Sequence, residues 1–75
     1  MKFSKMLKEL RQEKGFTQAQ LAIKLNVAEP TIRGWENQGL QPSYETLCEL
    51  AQIFDVSVDY LLGLVDEFGN KCEKL

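Results

Sequence analysis

The run from Leu10 to Trp35, LRQEKGFTQAQLAIKLNVAEPTIRGW, constrains the fold more than any other part of the chain. Gly15 supplies a left-handed terminator for a helix that precedes it. Thr17, followed three residues later by Gln20, is a capping box that starts the next helix, and Phe16 and Leu21 occupy the staple positions around that cap. Pro30 is tolerated only in a first turn, so it fixes a further helix start at Glu29 or Pro30. Two short helices, about 18–25 and 29–37, are thus joined by a tight turn without glycine. Leu21, Ala22 and Leu25 form the inner face of one, and Ile32 and Trp35 that of the other. The small Ala22 leaves room for close approach.

Three more helices follow from the same signals. Phe3, Met6, Leu7 and Leu10 recur at helical spacing and predict a helix over 4–14. Ser43 caps a helix over 44–54, with Pro42 before it, Glu45 complementing its dipole and Leu47, Leu50, Ala51 and Phe54 as its buried stripe. Ser57 caps a short helix over 58–62, with Val56 and Leu61 as a staple and Gly63 as terminator. No segment alternates with a period of two for long enough to form a strand. The expected fold is all-α, with five helices in one domain over 1–63 and a tail over 64–75.

The chain has 75 residues, 44% of them apolar. That suffices for one core and argues against disorder, but a domain this small buries only ~60% of its unfolded surface. No run approaches the ~18 apolar residues of a membrane span, and the first residues lack the apolar segment of a secretory signal. Cys48 and Cys72 have no metal-ligand pattern and there is no His; two reduced thiols in a cytoplasmic protein is the expectation. Ser, Thr and Cys have no imidazole to activate them, and there is no Gly-rich phosphate loop or paired-carboxylate site. Asp66-Glu67 reads as a solvated pair. No enzyme, cofactor or metal site is expected. Net charge is −2, unevenly spread. Residues 1–39 carry seven basic and four acidic groups, and residues 40–75 carry two basic and seven acidic. A DNA footprint is a local field, so the total is weak evidence against a nucleic-acid partner.

The paired helices over 18–37 have the sequence form of a helix-turn-helix, whose second helix enters the DNA major groove. Residues 7–63 resemble the DNA-binding domain of phage repressors and Cro, and small bacterial regulators of the xenobiotic-response-element type. The matching pieces are Leu10-Arg11, Gly15, Thr17-Gln18, Leu21-Ala22, Val27, Thr31-Ile32, Trp35-Glu36, Pro42-Ser43, Glu45-Thr46-Leu47, Leu50-Ala51 and 59–63 (DYLLG), in order and without gaps. The resemblance implies a compact lambda-repressor-like domain that binds double-stranded DNA and regulates transcription, most simply as a cytoplasmic, nucleoid-associated repressor.

It also implies roles for particular residues. Positions matching the family's base-edge contacts are Ala28, Glu29, Pro30, Arg33 and Gly34. Arg33 has a planar fork that donates two hydrogen bonds to guanine N7 and O6, worth ~1–3 kcal/mol of discrimination. Glu29 either accepts from cytosine N4 or repels phosphate, or only favours the helix N-terminus. Ala28 and Pro30 touch a thymine methyl or shape the turn. Thr31 reaches a phosphate or a base, or only bonds locally. Gln18 matches a phosphate-binding glutamine that braces the recognition helix, and Thr17 stands beside it at the helix start, where unsatisfied N–H groups favour an anion. Arg11 and Glu36 match a buried structural ion pair. The loop after the third helix departs from the family: Gln38-Gly39-Leu40-Gln41 stands where basic residues are usual. Phosphate anchoring there falls to Asn37, Gln38, Gln41 and Ser43, with Leu40 as core or loop plug.

One such domain contacts few bases. The family's solution is a two-fold dimer on an inverted repeat with half-sites ~34 Å apart. The fifth helix with Leu64, Val65 and Phe68 is the expected dimer surface. No small-molecule ligand or membrane contact is expected. The rival reading is a protein-interaction module of antitoxin or scaffold type, with a protein partner and weak DNA binding, which the acidic total and the non-basic loop suit.

Overall fold

Phe3, Leu7 and Leu10 fall at i, i+4 and i+7, one face of a helix, and all three are buried. The same logic repeats along the chain. The computed structural model describes residues 2–66 and contains helices α1 (Lys2–Glu13), α2 (Gln18–Leu25), α3 (Glu29–Asn37), α4 (Tyr44–Phe54) and α5 (Val58–Leu61). No strand is present among the described residues. The stripes of the five helices meet in one core of Phe3, Leu7, Leu10, Leu21, Ala22, Leu25, Ile32, Trp35, Leu47, Leu50, Phe54 and Leu61. α3 lies against both α1 and α2, and α5 closes the core by packing on α4 and α1.

Starts and stops of the helices are chemically marked. The Thr17 hydroxyl accepts from the Gln20 N–H at 3.0 Å, while the Gln20 side chain accepts from the Thr17 N–H at 2.9 Å. Ser43 and Ser57 accept from the N–H groups of Thr46 and Tyr60. After every helix comes a residue of positive φ: Gly15, Asn26, Gly39, Asp55 and Gly63. Asn26 and Asp55 take this conformation with a side chain, at φ 58° and 56°. At the first, Val27 N–H donates to Ala22 O and Asn26 N–H to Ile23 O, at 3.0 and 3.2 Å. That two-bond closure turns the chain sharply into α3 and satisfies carbonyls left over at the end of α2.

Two helices differ in their bounds from the sequence reading. The first helix begins at Lys2, not Ser4, and ends at Glu13. Ser4 does not cap it; its hydroxyl donates across the core to the Trp35 carbonyl at 2.6 Å. The fifth helix stops at Leu61, one residue early. Leu40, expected as core or plug, is 55% exposed. It rests on the outside of α3. Phe68, Glu67 and Cys72 lie outside the described residues, while Cys48 is partly buried on α4 and unbridged.

The strongest polar tie joins α1 to α3. Arg11 Nε donates to Glu36 Oε2 at 2.7 Å and its Nη2 to Oε1 at 3.1 Å, while Nη1 donates to the Phe16 carbonyl at 2.8 Å. The Glu36 side chain has no solvent exposure. A fork held on three sides and a carboxylate met on both oxygens offset the loss of hydration of both charges.

Two stability outcomes follow. Glu36→Ala leaves the Arg11 guanidinium buried and unpaired, and lowers unfolding free energy by about 3–5 kcal/mol, while Arg11→Met with Glu36→Leu recovers most of that; urea titration of the three proteins checks the contrast. Asn26→Ala places an alanine at positive φ and costs about 1 kcal/mol, while Asn26→Gly stays within a few tenths, read by the same titration.

Candidate nucleic-acid interface

α3 is two-sided because its apolar residues are. Ile32 and Trp35 point into the core, so Ala28, Glu29, Pro30, Thr31 and Arg33 are turned to solvent, and all five are exposed. Gly34 differs from the other four base-edge candidates: it is buried, and a Cβ there would lie 3.1 Å from Leu40 Cδ1. Its hydrogen lets the loop after α3 fold back, with the Leu40 N–H reaching the Gly34 carbonyl at 3.3 Å. That loop thereby presents Gln38 and Gln41 outward beside Asn37.

Ala28 occupies the N-cap of α3 and offers no side-chain acceptor. Of all the helix starts after α1, this is the one without a hydroxyl cap. The carboxylate of Glu29 stands in the first turn, where a negative charge suits the dipole. It also meets the Arg33 Nη1 at 3.0 Å, one turn along, with both side chains about half exposed. The four-residue spacing of Glu29 and Arg33 is itself a signal for this pair.

Gln18 is joined to the same framework. Its Nε2 donates to Glu36 Oε1 at 3.2 Å, so the first residue of α2 is tied to the end of α3 through the carboxylate that holds Arg11. Thr17 and Ser43 are engaged as caps through their oxygens, and Ser43 also shares a hydrogen bond with the Thr46 hydroxyl at 3.1 Å. Each phosphate candidate lies at or beside a helix start, at the end of α3 or on the loop after it. Among the described residues no buried side-chain nitrogen or oxygen lacks a partner.

The charge of this face is smaller than the basic count of the first half suggests. Arg11 is buried against Glu36 and Arg33 is paired with Glu29, while Lys24 keeps its charge with its ammonium 5.3 Å from the centre of the Phe16 ring. Lys5, Lys8 and Lys14 are exposed on α1 and just beyond it. Among the described residues no cluster of His, Cys, Asp or Glu is arranged to hold a metal ion, and no helix is long and apolar enough to cross a membrane.

A family model described as helix-turn-helix matches residues 7–61. The chain is 41% identical over 73 residues to the HTH-type transcriptional regulator ImmR of Bacillus subtilis, covering 97% of this chain and 57% of that protein. It spans 64% of a second B. subtilis relative, the HTH-type transcriptional regulator YobD, so both are longer than the segment they share with it. Its fold is similar to that of a transcriptional regulator from Listeria innocua, with a TM-score of 0.78 at 35% identity over 87% of this chain and 61% of that one. It is also similar to SinR of B. subtilis, the master regulator for biofilm formation, in complex with DNA, with a TM-score of 0.71 at 34% identity over 80% of this chain and 97% of that one. The capped α2 and its tight turn into α3, the carboxylate that fastens the pair to α1 and these likenesses agree: the chain belongs to the phage-repressor and Cro-like helix-turn-helix family.

Proposed function

We propose that the protein binds double-stranded DNA sequence-specifically and regulates transcription, as a repressor that works by occupying its site. The observation that carries this reading is the two-sided α3. Its inner face and C-terminal end are fastened by Ile32, Trp35 and the Arg11–Glu36–Gln18 network, and its outer face presents Ala28, Glu29, Pro30, Thr31 and Arg33 to solvent. A helix whose orientation is fixed and whose outer side chains are unburied suits a major groove ~12 Å wide. Arg33 reads a base edge. Thr17, Gln18, Thr31, Asn37, Gln38, Gln41 and Ser43 hold phosphates through side chains and neighbouring N–H groups. The relatives named above are transcriptional regulators, and SinR was solved on DNA. The protein acts in the compartment that holds the chromosome and needs no cofactor.

The protein is a two-fold dimer on an inverted repeat. α5 and the segment after it supply the contact between copies, with Leu64 partly exposed and Val65 half-buried beside it.

Selection of random duplex DNA by the purified protein tests the reading. One inverted repeat is recovered, and Arg33→Ala loses about 10-fold or more of its preference for that repeat while keeping its circular dichroism spectrum and melting temperature. Recovery of nothing above background from folded protein refutes DNA reading and favours a protein partner. Because the face holds no uncompensated cation on α3, the salt slope of binding corresponds to few phosphates, at ~0.9 per phosphate neutralised; a slope implying many sinks that expectation. Truncation at Gly63 weakens self-association in sedimentation equilibrium, and unchanged association rules out the assigned dimer surface.

A further inference from the structure

Glu29 and Arg33 are the exposed charged residues of α3. Glu36, the other charge on that helix, is buried against Arg11. The outer face of the recognition helix is therefore electrically compensated by its own residues, and the compensation is made by one contact: Glu29 Oε1 to Arg33 Nη1 at 3.0 Å. An exposed pair at this spacing contributes little to folding. It does restrict the guanidinium. Arg has five N–H donors in a planar fork, and tying Nη1 back toward the first turn leaves Nε and Nη2 as the edge turned away from Glu29. Two donors on one edge match the N7 and O6 acceptors of guanine.

We propose that Glu29 is the specificity-determining partner of Arg33: its carboxylate positions the guanidinium for a guanine edge, and its charge rejects alignments that place phosphate against this face. The inference rests on the DNA-reading function proposed above. It assigns two consequences to a single side chain. Without the tether, Arg33 samples more orientations and reaches phosphate as readily as base. Without the negative charge, the face attracts any duplex. Discrimination against wrong DNA comes from a repulsive element built next to the attractive one. The ligand is a duplex half-site with a guanine facing the α3 outer face.

The test uses the full chain, wild type and the variants Glu29→Gln, Glu29→Asp, Arg33→Ala and Glu29→Gln with Arg33→Ala. Each is titrated by fluorescence anisotropy against the duplex selected by wild type, the same duplex with the critical guanine replaced, and a scrambled duplex, at several salt concentrations. Glu29→Gln binds scrambled duplex several-fold more tightly, with a salt slope steeper by about one phosphate, and its selected-to-scrambled ratio falls about 10-fold or more. Glu29→Asp keeps the charge but is too short to hold Nη1; it loses preference for the guanine while binding scrambled duplex as weakly as wild type. In the double variant, preference for the critical guanine falls no further than in Arg33→Ala alone, because the positioning of the guanidinium acts only through Arg33. All variants keep the wild-type melting temperature within a few degrees.

An unchanged ratio in Glu29→Gln overturns the proposal, as do losses of guanine preference that add in the double variant. Either result leaves the DNA-reading function standing. Failure of folded wild-type protein to select any sequence overturns that function and the role of Glu29 together, and is seen before any variant is made.

Discussion

One carboxylate holds α3 in place. Glu36 sits without solvent exposure and is met by Arg11 from α1 and Gln18 from α2, while its own backbone belongs to α3. A buried charge is tolerable only when its lone pairs are all met, so burial itself enforces the geometry. The three helices cannot drift apart or rotate without leaving an ion unpaired in the core. Ser4 adds a neutral bond from α1 to the adjacent Trp35 carbonyl. Core packing supplies the bulk of the stability; these bonds decide the angle at which α3 leaves it.

That arrangement also accounts for how α2 and α3 come to stand against each other. The turn between them is closed by backbone bonds from Asn26 and Val27 to Ile23 and Ala22, and Ala22 is small enough for α3 to come near. Gln18 then bridges the open side of the pair to Glu36. Turn, small residue and bridge constrain the same angle from three directions.

Much of this was legible before the structure. The helix starts at Thr17, Ser43 and Ser57 were visible because a hydroxyl cap is a local signal, read within three residues. The core was visible because α-helical spacing reports burial directly. The resemblance singled out Arg11 and Glu36 and named Gln18 as a brace. The rest depended on contacts distant in sequence or on loop geometry. Nothing local marks Ser4 as a donor to a carbonyl 31 residues away. Gly34 carried no sign of burial, since its covering comes from Leu40 in the following loop. Asn26 and Asp55 end helices in the left-handed conformation that glycine marks openly elsewhere, so their role was hidden by side chains that tolerate it.

Every long-range side-chain hydrogen bond described above, from Ser4, Arg11 and Gln18, ends at Trp35 or Glu36, in the last turns of α3. The opening turn is different. Ala28, Glu29, Pro30, Thr31 and Arg33 lie outside the core, and their one side-chain ion pair is made within the helix itself. Residues that would read a sequence are thereby uncoupled from residues that fold the domain. Such a helix can be rewritten along one edge at small cost to the scaffold. Under the proposed DNA reading, a lineage carrying this domain exchanges one target site for another through a few surface substitutions, with no compensating change in the core.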